Sequence, residues 1–325
     1  MRASVFAAIA LALAAALAGY FGGLQQGRAS GEAVDDAAKE ATAKQHAAVV
    51  GENAKATAAV ASAGKLPAAG TPLKYLFADL QARANAGDVA AATRLYRDVS
   101  LCRRFESLDR DNAKLSDELL GQAVGSMNAE QLKNYRAQLD DVESRRQTMD
   151  RFRALCDGAS SEMLDSLVPN LQRAAQLGEP YARACYLDRG PNYDPASLLD
   201  HPERLGSYKR DALAMIEAGV EQGDWRVIDL VRGAYRPGTA NFLSAAIGKD
   251  PYQRYRYLKL FRMGADSDSS RADADRDIDA VAKQLSAAQI TQADAWASKA
   301  FEQNFQGKPI GAEGPVWDPC VFPYE

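Results

Sequence analysis

Beyond residue 70, three glycines, each followed at once by a carboxylate, divide the chain at Gly87-Asp88, Gly178-Glu179 and Gly223-Asp224. Glycine ends a helix readily because it lacks a Cβ and enters the left-handed region. An acidic residue directly after it can accept the unpaired N–H groups that open the next helix. Each pair therefore reads as the corner of a helix hairpin. Apolar residues recur at helical spacing before these corners, as Leu73, Leu76, Leu80 and Ala84 and again as Leu164, Leu167, Leu171 and Ala175. Alternating apolar and polar runs rich in Val, Ile and Thr are not found, so the pattern predicts an all-α chain.

Two corners match over a longer stretch. LQARANAGDVAAATRL, starting at Leu80, parallels LQRAAQLGEPYARACY, starting at Leu171. Leu80, Gln81, Ala84, Gly87, Asp88 and Ala91 align with Leu171, Gln172, Ala175, Gly178, Glu179 and Ala182. Gly178, Gly223 and Gly264 then follow one another about every forty residues, a period that points to stacked helical repeats. A lone hairpin has no partner for its apolar face, so neighbours must stack. Residues 71–306 are accordingly read as one domain of stacked antiparallel helix hairpins, with Trp225, Phe242, Tyr255 and Phe261 filling its core. Residues 103–160 interrupt the pattern with a long charged helix pair, and Gly264 is followed by Ala265 before its acid.

The A-x-x-G-D/E corner, followed by small residues at helical spacing, resembles the Sel-one-like repeat family, a relative of the tetratricopeptide repeats. The resemblance covers about half of the region from Leu73 to Ala265. It implies an α-solenoid-like body that scaffolds protein contacts without catalysis of its own.

The two ends of the chain differ from this middle. The first 24 residues carry one charged side chain, Arg2, ahead of an uninterrupted run from Ala3 to Leu24. Residues 1–24 read as a signal peptide or an N-terminal membrane anchor: Ala16-Leu17-Ala18 offers a small-x-small cleavage site, yet the run is long enough to span a bilayer. Residues 25–70, rich in Ala, Gly, Lys, Glu and Thr, lack the apolar groups for a core and read as a disordered, flexible spacer. The expected location is the periplasm, or the inner membrane with the body facing the periplasm.

Cysteines oxidise in such a compartment. Cys102, Cys156, Cys185 and Cys320 form no C-x-x-C motif and read as two disulfides. Among the three possible connectivities, the helix layout favours Cys102 with Cys156, at one edge of the N-terminal stack. Cys102 is placed near the end of the second helix of the first corner. Cys185 with Cys320 would then fasten the irregular tail, residues 307–325 with Val316, Trp317, Phe322 and Tyr324, onto the body.

A formal charge of −4 argues against nucleic acid as a partner, since a polyanion needs a basic field. Of the two histidines, His46 lies in the spacer and His201 beside Asp200 in DHPER, with no G-x-S-x-G nucleophile turn to serve. Asp266, Asp268, Ser270 and Asp277 stand at EF-hand-like positions, but Arg271 replaces the turn glycine and Asp277 the bidentate Glu. Ser267 or Ser269 capping an acidic helix start is the better reading. Arg145, Arg146, Arg151 and Arg153, interleaved with Glu143 and Asp150, read as a solvated, self-neutralising face. The expectation is an exported interaction scaffold with a protein partner, no catalytic residue, no cofactor and no metal, touching a membrane only through its N-terminal segment. An envelope hydrolase of peptidoglycan or peptide with a repeat frame, or an immunity or effector-binding protein, are the alternatives.

Overall fold

The computed structural model describes residues 65–311 and 318–322, so the N-terminal segment, most of the spacer, Val316, Trp317 and Tyr324 lie outside the described residues. Thirteen α-helices and no strand occur among them. They are α1 (Leu73–Asn85), α2 (Val89–Leu120), α3 (Ala129–Cys156), α4 (Ser161–Asp165), α5 (Leu167–Gln176), α6 (Pro180–Arg189) and α7 (Pro195–Asp200). After these come α8 (Arg204–Glu221), α9 (Trp225–Ala234), α10 (Phe242–Ile247), α11 (Pro251–Gly264), α12 (Asp268–Ala282) and α13 (Ala287–Gln303). Among the described residues no helix is long and apolar enough to cross a membrane.

The three glycine-acid corners share one backbone solution. Gly87, Gly178 and Gly223 take φ of 98°, 94° and 69°. The N–H of Asp88, Glu179 and Asp224 donates back to the carbonyls of Arg83, Ala174 and Gly219 at 3.0, 3.0 and 2.9 Å, and each glycine N–H donates at 3.1 Å to Ala84, Ala175 or Val220. That is the paired bond of a Schellman ending, which satisfies the last carbonyls of the first helix. The acidic side chains then accept from Ala91, Ala182 and Arg226 N–H and open the second helix. Hairpins α1–α2, α5–α6 and α8–α9 follow, stacked by contacts of α2 with α5, of α6 with α8 and α9, and of α9 with α11.

The apolar faces meet in a long core running through α2, α5, α6, α8, α9 and α11, where Tyr96, Leu171, Leu187, Tyr208 and Ile228 are fully buried. Leu73, Leu80, Leu95 and Val99 form a second cluster at the N-terminal hairpin, and Tyr255, Leu258, Val281 and Ala293 a third among α11, α12 and α13. Tyr255 and Phe261 are buried, and Trp225 and Phe242 pack partly exposed against the main core.

Two expectations are corrected. The second helix of the first hairpin does not end near Cys102 but continues to Leu120. No glycine or proline occurs from Val89 to Leu120, and Leu101, Phe105, Leu108, Leu115 and Leu119 sustain a heptad spacing that needs a partner helix, which α3 supplies. Gly264 is not a corner glycine. It is the last residue of α11, and the chain leaves it extended at Ala265, with φ −62° and ψ 127°. Glycine is needed there because a Cβ would collide with the Trp225 ring.

Candidate functional site

The capping acids do more than close their own hairpins. Glu179 accepts from Tyr96 Oη at 3.2 Å and from Arg97 Nη2 at 3.3 Å, both on α2 of the preceding hairpin. Arg183 of α6 reaches forward in the same way: its Nη2 donates to Gln222 Oε1 at 2.6 Å and to the Gly178 carbonyl at 3.2 Å, and Nη1 lies 3.8 Å from Asp224 Oδ2. Arg226 Nε donates to Asp224 Oδ1 at 3.0 Å while its guanidinium covers the Tyr181 ring at 4.4 Å. Burial works against the charge of Asp88, but the Ala91 N–H and the Arg83 guanidinium outweigh it and hold that carboxyl below its ordinary value. Asp88 is engaged within its own hairpin, whereas Glu179 and Asp224 also face an arginine of the preceding one.

The cysteines pair as Cys102–Cys156 and Cys185–Cys320, with Cα separations of 5.2 and 4.5 Å, the connectivity favoured from the helix layout. The first bridge ties the middle of α2 to the last residue of α3. The second holds the tail on α6, where Cys320 and Phe322 are buried. Phe322 meets Tyr96 edge-on at 5.6 Å and lies 5.0 Å from the Arg97 guanidinium.

Beyond the first bridge α2 and α3 run on as an antiparallel pair. From Arg103 to Ala154, Leu119 is the one buried residue among those described. Leu120 is 64% exposed, and Leu115 and Val124 are each 41% exposed, so apolar groups face solvent toward the far end. Asn112 sits in the seam with its Oδ1 buried and unbonded. Of the arginine face, three of the four members are paired: Arg145 with Asp141, Arg146 with Glu143 at 3.1 Å, and Arg153 with Asp150 at 2.6 Å and Asp109 at 3.0 Å. The Arg146 hydrogen bond holds Glu143 below its ordinary value.

The remaining sequence candidates are dispersed. His201 Nδ1 lies 3.2 Å from Glu203 Oε1, with both side chains exposed, so its partner is Glu203 and not Asp200. Ser267 caps α12 by accepting from Ser270 N–H at 3.1 Å. Asp268 pairs with Arg271 at 2.7 Å and Asp277 with Arg254 at 3.3 Å, and the straight helix between them leaves no loop to wrap a cation. No group of three or more His, Cys, Asp or Glu placed to hold a metal occurs among the described residues. Sequence reasoning missed a cleft of about 690 Å³ between the α9–α10 connection, α11 and the end of α12. Its one sequence signal is the segment Arg236 to Asn241, RPGTAN, too irregular for a repeat helix.

Comparison with protein-family models, with curated proteins and with solved structures finds no match.

Proposed function

We infer that this chain is an exported helical-repeat scaffold that meets a protein partner through the α2–α3 hairpin. The observation that carries the reading is the hairpin itself, stapled at its base by Cys102–Cys156 and presenting Leu115, Leu120 and Val124 to solvent beyond the packed repeats. A two-helix seam of this length contributes little to the core. Its apolar far end gains most by covering against another surface. The resemblance of the corners to Sel-one-like repeats supports a scaffolding role. Two disulfides and the apolar run behind Arg2 support an oxidising location, the periplasm or the periplasmic face of the inner membrane.

Photocrosslinking in the producing cell tests the partner contact. A benzophenone side chain placed at Leu120 should yield a discrete protein adduct, and the same group at exposed Lys299 on α13 should not. Identical patterns from both positions, or no adduct from Leu120, would contradict the reading.

A further inference from the structure

The cleft beside α11 is lined by three cations, Arg236, Lys249 and Arg254, and by an apolar wall that includes Tyr235, Phe242 and Val281. Its volume of about 690 Å³ lies within the range of small-molecule sites. Two carboxylates stand near the cations, and both are already engaged. Asp250 Oδ1 accepts from Tyr252 and Gln253 N–H at 2.9 and 3.0 Å as the cap of α11. Asp277 is shared, with Oδ1 3.3 Å from Arg254 Nη2 and Oδ2 3.9 Å from Arg236 Nη2. Two guanidinium groups therefore converge on one carboxylate. Even with Asp277 counted beside Asp250 against Arg236, Lys249 and Arg254, one positive charge remains in surplus.

Arg254 is the informative member. Its side chain is only 10% exposed, yet its one hydrogen bond among the described residues is that from Nη2 to Asp277. A guanidinium carries five N–H donors, and a nearly buried one with most of them unengaged and a cavity alongside is organised to receive an acceptor. Arg256, by contrast, is covered by the Trp296 ring at 3.8 Å and takes no part in the cleft.

We propose that this cleft binds a small organic anion of the aryl- or alkyl-carboxylate class. The carboxylate is received by Arg254 with Arg236, and the apolar body lies against Tyr235, Phe242 and Val281. The site is separate from the α2–α3 hairpin and stands whether or not the hairpin contacts a protein.

Isothermal titration of the full chain with phenylacetate and hexanoate tests it, with phenylacetamide and phenethylamine as neutral and cationic controls. At least one carboxylate should bind one-to-one at millimolar concentration or better. It should bind at least tenfold more tightly than either control. Arg254→Met should weaken it at least tenfold, with the helical circular dichroism of the parent retained. Should that variant fail to fold, the exposed pair Arg236→Glu with Lys249→Glu gives the same readout. Absence of carboxylate binding, equal binding of phenylacetamide, or unchanged affinity in a folded variant would overturn the proposal.

Discussion

At the scale of single residues, two corner glycines separate backbone strain from crowding. Gly178 has positive φ, and a Cβ there meets nothing closer than 3.6 Å. Gly223 has positive φ, and its Cβ would drive into the Asn304 carbonyl. Gly178→Ala should therefore cost about 1–2 kcal/mol from the left-handed backbone alone. Gly223→Ala should cost at least about 1 kcal/mol more, because the C-terminal backbone of α13 has to move. Urea unfolding of the two variants measures the difference, and equal losses would show that Asn304 yields freely. The sequence marked both glycines equally, since the chain that crowds Gly223 arrives from some eighty residues away. The buried phenols of Tyr96, Tyr186 and Tyr208 are pushed by burial well above their ordinary value of 10.0. A folded value above the unfolded one means stability complete below pH 10 and lost as pH rises beyond it. Each such tyrosine should remove up to about 1.4 kcal/mol of stability per pH unit above pH 10. Absorbance at 295 nm should show these three ionising only as the fold melts, and their titration near pH 10 with helicity intact would refute their burial.

At the scale of elements, the hairpins were legible from local signals, while contacts that depend on distant residues were not. The Schellman corners need only a glycine, an acid and apolar residues within one turn, and all three are written locally. The run of α2 past Cys102 was written in its heptad of leucines and in the lack of Gly and Pro, whereas the role of Gly264 depends on Trp225, about forty residues away, which no local pattern announces. The cleft beside α11 was equally hidden, because Arg236, Arg254 and Asp277 come together only when the α9–α10 connection folds over α12. The α2–α3 extension packs chiefly on itself, so it should be dispensable for the body. Replacing residues 107–151 by a short Gly-Asn turn should leave a cooperative melting transition within about 5 °C of the parent, with helix signal lost in proportion. A broad or absent transition would show that the extension supports the core.

At the scale of the whole molecule, the repeats form a stack in which each hairpin is held to the next by its capping acid, from Arg97–Glu179 to Arg183–Asp224. Two covalent ties are added to that chain of neighbours. Cys102–Cys156 closes 54 residues and Cys185–Cys320 closes 135, which in the chain-entropy view amounts to about 4 and 5 kcal/mol. The second bridge is the long-range one: it brings residues 318–322 back onto α6 and seats Phe322 against Tyr96 of the first hairpin. The first bridge thus lies within the α2–α3 pair, and the second ties the tail to the second hairpin. The direct measurement is peptide mapping without reduction, on full chain alkylated at the moment of lysis of the producing cell. Expected are two linked peptide pairs, Cys102 with Cys156 and Cys185 with Cys320, and no alkylated thiol. A peptide joining Cys102 to Cys185, or four alkylated cysteines, would contradict an exported, doubly bridged repeat body.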